Sequence, residues 1–393
     1  MILVINSGSS SIKFKLFDTS KAIEPILDGL AERIGIDGFL KFEHNNQKYK
    51  FEDPLPDHEH AIQLILNKLL ELKIISNIDE IKGVGFRVVH GGEISHSSII
   101  NEEVLQKIQE SVKLAPLHNP AAIIATKAVK KLMPNTSMVA CFDTAFHQTM
   151  PQVNYLYSVP YKWYEEFGVR KYGFHGISYE YIVNKCEEIL NKKKEHLNLI
   201  VCHLGNGASI SCIKDGKSYD TSMGLTPLAG LMMGTRSGDI DVSICEYVAK
   251  QTNSDIFAIT QILNKQSGLL GLSQTSADMR DVLEQYDRND KKAIIAVEKY
   301  VQVVADFIVK YANYLDNIDA VVFTAGIGEN ADVIRDLICK RVKLLGLQID
   351  QEKNESKYSD YKLISSEKSK IPVYAIRTNE EKMICLDTLN LIK

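Results

Sequence analysis

Three short turns in this 393-residue chain combine residue types that can hold a polyphosphate. Asn6-Ser7-Gly8-Ser9-Ser10-Ser11-Ile12-Lys13 puts four hydroxyls, a carboxamide, a flexible glycine and an ammonium into one turn. Backbone N–H groups, hydroxyls and a positive charge together cradle phosphate, although a serine-rich surface turn has the same composition. His203-Leu204-Gly205-Asn206-Gly207-Ala208-Ser209 offers glycines through which a backbone can approach phosphate closely, but Ile210 stands where a dinucleotide-binding turn needs its third glycine or alanine. Thr324-Ala325-Gly326-Ile327-Gly328-Glu329-Asn330-Ala331 does satisfy strand, G-x-G-x-x-A and helix in order, and Asp350 closes the next apolar stretch near where a ribose-binding acid belongs. Alone it admits an NAD-dependent dehydrogenase, a function that leaves the other two turns unexplained. Gly216-Lys217-Ser218 mimics the end of a Walker loop, yet Ser211 occupies the place of its first glycine.

Charged residues add to the pattern. Arg87 ends an apolar run in Gly85-Phe86-Arg87-Val88-Val89-His90-Gly91-Gly92, and Arg236 sits among glycines in Met233-Gly234-Thr235-Arg236-Ser237-Gly238-Asp239. A planar cation so placed suits carboxylate or phosphate oxygens, or else a salt bridge between domains. His175, between Phe174 and Gly176, can hydrogen-bond a transferring phosphoryl group or serve as a satisfied structural histidine. Asp143 follows the expected strand 138–142, where α/β folds gather ligands, and reads equally as a helix N-cap. Glu380, opening the final helix pattern, can hold a magnesium ion or complement the helix dipole.

The elements that must position these residues alternate between strand and helix periods, which means α/β layers. Strands are expected at 2–5, 12–17, 83–89, 138–142, 199–203, 208–213, 320–324 and 371–376, and helices at 58–72, 104–112, 241–251, 257–264, 279–284, 291–315 and 382–391. Two polar-turn hairpins, 2–18 and 199–215, lie half a chain apart and suggest a duplicated domain. The length requires two domains, with 151–160 as the expected crossing. A net charge of −4 supplies no basic surface for nucleic acid. Seven cysteines without a C-x-x-C pair suggest reduced thiols in a cytoplasm and neither disulfides nor zinc, and no apolar run is long enough for a membrane span.

Taken in order, NSGSSSIK, GFRVVHGG, LHNP at 117–120, FDTAFHQTMP, YGFHG, HLGNGAS, DTSMGLTPLAGLMMGTRSGDID, FTAGIGEN and RTNEE resemble the acetate kinase family, of the acetate and sugar kinase/Hsp70/actin superfamily, over essentially the whole chain. The resemblance implies duplicated ribonuclease H-like, actin-like ATPase domains, 1–150 completed by helix 381–393 and 151–380, with an active-site cleft between them. It also implies reversible in-line transfer of the ATP γ-phosphoryl group to acetate, giving acetyl phosphate and ADP, with propionate kinase as the alternative on the same scaffold. On this resemblance Asp143, His175 and Arg236 are catalytic, and Arg87 binds the carboxylate. Val89, Leu117, Phe174 and Pro227 receive the methyl group. ATP contacts fall to Lys13, to His203, Leu204, Gly205, Asn206 and Gly207, to Asp278, Met279 and Arg280, and to Gly326, Ile327, Gly328, Glu329 and Asn330. Asn6 and Glu380 hold Mg2+, with Mn2+ as the alternative ion, and the enzyme is expected as a cytoplasmic homodimer. A short carboxylate is already ionised at neutral pH, so Asp143 is expected to orient more than to act as a base. Ile177, Tyr179 and Val242 depart from the family's usual threonine, histidine and proline, and are expected to affect local packing only.

Overall fold

The structure, a computed structural model, describes residues 1–20, 23–116 and 118–393. The chain divides into two compact units, Met1–Gln148 with Asn379–Lys393, and Thr149–Thr378.

In the first unit eight strands form one sheet: β1 (Ile2–Ser7), β2 (Ser11–Asp18), β3 (Glu24–Glu32), β4 (Phe39–His44), β5 (Gln47–Phe51), β6 (Gly83–Val88), β7 (Ser98–Ile99) and β8 (Ser137–Phe142), in the order β5-β4-β3-β2-β1-β6-β8-β7. The first five run antiparallel to their neighbours, whereas β6 and β8 continue parallel to β1. Ile2, Leu3, Val4 and Ile5 are all buried, as a central strand covered on both faces requires. Helix His58–Glu71 buries Ala61, Ile62, Ile65, Leu66 and Leu69, a spacing of three and four, and Asp57 caps its start. Helix Glu380–Leu391 packs on β1, β6 and β8. Its fit depends on glycine, since a Cβ at Gly85 would stand 2.3 Å from Thr388 Oγ1.

The second unit repeats the plan. Strands β9 (Leu199–Leu204), β10 (Ala208–Lys214), β11 (Lys217–Thr221), β12 (Ala320–Thr324), β13 (Tyr361–Leu363) and β14 (Val373–Ile376) are ordered β11-β10-β9-β12-β14-β13. Each unit therefore carries an antiparallel triplet, β3-β2-β1 or β11-β10-β9, extended by two strands parallel to its first strand. The long helix Lys291–Ala312 lies against β9 and β10 and buries Ala293, Ala296, Val297, Tyr300, Val301 and Val304.

Two expectations change. The glycines after β12 do not form a dinucleotide-type loop: helix Ala325–Asn330 begins at once, so Gly326 and Gly328 lie inside it. Glu329 explains why, because its carboxylate accepts the Ala325 N–H at 3.0 Å and caps its own helix. The final helix starts at Glu380, two residues earlier than the apolar period indicates, because the Asn379 side chain caps it through the Lys382 N–H. Gly216 is a hairpin residue between β10 and β11 with φ of 71°.

Candidate active site

In the first unit the β1–β2 register sets Asn6 opposite Lys13, so the two side chains share one face of the hairpin. Lys13 Nζ is paired with Glu381, which also approaches Lys15. Burial alone would lower the Lys13 pKa, but Glu381 outweighs it and raises it. Ser7 Oγ, at the turn, is buried without a hydrogen-bond partner. Arg87 sits near the end of β6 and Asp143 directly after β8, its N–H bonded to Val88 O at 3.0 Å. The adjacent parallel strands thus bring the pair together. Arg87 Nε donates to Asp143 Oδ1 at 3.0 Å and a terminal nitrogen donates to Oδ2 at 2.8 Å, a bidentate fork, while the other terminal nitrogen lies 3.4 Å from Glu380 Oε2. Burial pulls the Arg87 pKa down, yet the two carboxylates hold it above its ordinary value. Burial pushes the Asp143 carboxyl up, against the pull of Arg87. Both Asp143 oxygens thus accept from Arg87. Val89 is half-buried, and Leu117 lies outside the described residues.

In the second unit His175 precedes helix Gly176–Leu190 in a left-handed conformation, φ 61°. Its ring stacks on His203 with centroids 4.1 Å apart, and its Nδ1 lies 2.8 Å from Ser209 Oγ. His203 and Ser209 face each other across β9 and β10, so one register fixes both contacts. Tyr179 completes the group, its hydroxyl 2.5 Å from Ser209 Oγ. This overturns the expectation that the unusual residues affect packing alone: Tyr179 is one hydrogen-bonded atom away from His175. No spacing rule signalled it, because His175 lies before the helix in a left-handed conformation and the helical i, i+4 relation does not reach it.

Arg236 stands near the same point. A Cβ on Gly207 would lie 3.6 Å from both His175 Nε2 and an Arg236 terminal nitrogen. The guanidinium donates to the Pro227 carbonyl at 3.0 Å, and no carboxylate among the described residues pairs with it. Burial, with nothing to offset it, lowers its pKa. Phe174 is buried and Pro227 half-buried.

The glycine segments gather here as well. A Cβ on Gly205 would lie 4.0 Å from Gly326 N, whereas one on Gly326 would meet nothing within 4 Å. Packing therefore does not demand glycine at 326, and open space lies above it. Leu204 is buried in β9, and Gly234 accommodates Asn206, whose Oδ1 a Cβ would overlap. Glu329 also accepts the Thr378 N–H at 3.0 Å, and burial raises its pKa. Asn330 Nδ2 donates to Gly326 O at 2.8 Å, and Ile327 is half-buried beside the buried Gly328. Arg335, absent from the sequence reading, is fully buried and donates to the carbonyls of Gly328 and Glu329 and to Asn354. Asp278 caps helix Met279–Asp287 and binds exposed Arg280, which brings its carboxyl down to about 2, while Met279 is buried.

The acetokinase family model matches residues 1–386. The chain belongs to the acetokinase family. A protein of Mycoplasma capricolum called acetate kinase is 99% identical over 393 residues, the whole of both chains. The crystal structure of Porphyromonas gingivalis acetate kinase matches with a TM-score of 0.95 at 39% identity, covering 100% of this chain and 99% of that one. A propionate kinase from Francisella tularensis matches with a TM-score of 0.93 at 42% identity, covering 99% of each. These full-length likenesses give this acetokinase chain a duplicated actin-like ATPase fold and a phosphotransferase activity, and the dehydrogenase alternative falls. Propionate kinase is not favoured as the name for its activity.

Among the described residues no group of three or more His, Cys, Asp or Glu side chains converges as a metal site. Mg2+ usually takes one or two protein oxygens and completes its shell with phosphates and water. Asn6 and Glu380, both in the first unit, offer an amide and a carboxylate oxygen of that hard type.

Proposed function

We propose that this chain catalyses the reversible transfer of the ATP γ-phosphoryl group to acetate, giving acetyl phosphate and ADP. The observation that carries this reading is the half-buried Arg236 guanidinium, which has no carboxylate partner and converges with His175 Nε2 beside Gly207. A buried cation without a counter-charge calls for an anion, and a loose phosphoryl transition state spreads charge over oxygens that an arginine fork and an imidazole N–H can meet.

In this reading Arg236 and His175 bind the oxygens of the transferring group. Arg87 neutralises the acetate carboxylate with the guanidinium edge left over from its fork with Asp143. Asp143 fixes the plane of Arg87, and the carboxylate substrate needs no base. Val89, Leu117, Phe174 and Pro227 receive the methyl group. The nucleotide lies along His203, Leu204, Gly205, Asn206 and Gly207, along Asp278, Met279 and Arg280, and along Gly326, Ile327, Gly328, Glu329 and Asn330, with Lys13 toward its phosphates. Glu329 acts there by shaping the helix and not by touching ATP, since its carboxylate is engaged by backbone N–H groups. Mg2+, or Mn2+ in its place, held by Asn6 and Glu380, would supply positive charge to the nucleotide phosphates. All seven cysteines are free, which supports a reducing cytoplasm. A homodimer is supported by apolar side chains left in solvent around helices Ser243–Thr252 and Ile256–Lys265: Val242, Tyr247 and Phe257 are 79%, 68% and 77% exposed.

The test is acyl phosphate trapping by hydroxylamine with ATP, Mg2+ and acetate, propionate or butyrate, comparing kcat/KM. Fastest turnover of acetate is expected, with loss in Arg236→Ala. Faster turnover of propionate would transfer the reading to that acid, and absence of acyl phosphate with every acid would overturn it.

A further inference from the structure

We propose that Tyr179 is a positioning residue that sets the tautomer of His175 through Ser209. The inference rests on the reading above that His175 Nε2 serves the phosphoryl group. His175, just before helix Gly176–Leu190, and Tyr179 in its first turn lie four residues apart and both reach the same serine oxygen, at 2.8 Å and 2.5 Å. A serine hydroxyl has one proton and two acceptor sites. When the Tyr179 phenol donates to Ser209 Oγ, the serine proton is directed onto His175 Nδ1, and the neutral imidazole then carries its own proton on Nε2. Nε2 points toward Gly207 beside Arg236, where an N–H attracts an anionic oxygen and a bare lone pair repels it.

Two observations support the relay. Tyr179 is completely buried, and burial pushes its phenol far above the ordinary value, so it remains protonated and able to donate. The plane of the His175 ring is already fixed by stacking on His203, which is itself held through Nδ1 by Ser178 Oγ at 2.9 Å. What the ring has left to vary is its proton, and Ser209 controls that.

The experiment measures kcat and KM by hydroxylamine trapping for the wild type, Tyr179→Phe, Ser209→Ala, His175→Ala and the Tyr179→Phe/His175→Ala double variant. It adds 15N–1H spectra of histidine-labelled protein, which distinguish the two tautomers. Tyr179→Phe is expected to lower kcat about tenfold with KM for ATP and acetate unchanged, the loss of one hydrogen bond made to the transition state. The His175 signals should move away from the Nε2–H pattern, Ser209→Ala should reproduce both effects, and the hydroxyl should add nothing in the His175→Ala background. Wild-type kcat and unchanged signals in Tyr179→Phe or Ser209→Ala, with His175→Ala impaired, would overturn the relay while leaving His175 its role. A fully active His175→Ala would instead remove the reading beneath it, and the relay with it.

Discussion

Arg87 and Arg236 carry the same charge in opposite circumstances. Arg87 is held by Asp143 and approached by Glu380, whereas Arg236 has a carbonyl and a thioether but, among the described residues, no carboxylate. Substitution should separate them. Arg236→Lys keeps the charge but loses the planar fork, and kcat should fall about 100-fold with little change in KM for ATP, as steady-state kinetics would show. Arg87→Ala leaves Asp143 buried without its cation, so thermal unfolding should show a loss of about 3 kcal/mol and kinetics a raised KM for acetate. The types and neighbours of both arginines were legible in the sequence, because few structural needs put an arginine among glycines. The fork was not: residues 87 and 143 meet only because β6 and β8 pair in parallel, with Val88 beside Phe142. Nor was Arg335, which looks like any helical arginine until the structure shows it buried and bonded to the carbonyls of Gly328 and Glu329.

Strands with a two-residue period and helices with a clear apolar face could be read directly, and both hairpins fall where alternation put them. Strands β3, β4 and β5 could not, since Pro25, Gly29 and the scattered Lys41, Lys48 and Lys50 dilute their pattern; Gly29 is there because a Cβ would lie 2.3 Å from Phe14 Cζ. The segment after β6 supports a prediction at this scale. His90 accepts the Gly92 N–H on Nδ1, and its own N–H and carbonyl are both bonded to the Asn119 side chain. Burial lowers its pKa to about 4 from 6.5. Between those values the unfolded chain binds the proton and the folded one does not. The stability from this neutral histidine is therefore fully present above pH 6.5 and is lost as pH falls toward 4, with a slope of at most about 1.4 kcal/mol per pH unit. His90→Gln should flatten the melting temperature profile in that window. Arg335→Met should cost the second unit about 3 kcal/mol by leaving buried carbonyls unpaired, measured by denaturant unfolding.

For the whole molecule, the duplicated strand order explains why two ambiguous turns half a chain apart were informative together: each closes the first hairpin of one unit. Its assembly is testable too. If the proposed homodimer forms through this face, Phe257→Glu with Tyr247→Glu should shift it to monomer in light scattering, because charges on a surface that must dehydrate oppose association. The segmented make-up of the first unit bears on biosynthesis as well. Its strand β6, with Gly83 and Gly85 shaped to receive Ile392, Thr388 and Ile384, is made early, and the helix that covers it emerges about 300 residues later, roughly 15 to 60 s at bacterial elongation rates. During that interval the apolar strand has no lid, so the nascent chain should recruit a holding chaperone. The 230-residue segment Thr149–Thr378 is synthesised whole before Asn379–Lys393 of the first unit is made, so the second unit is expected to fold first.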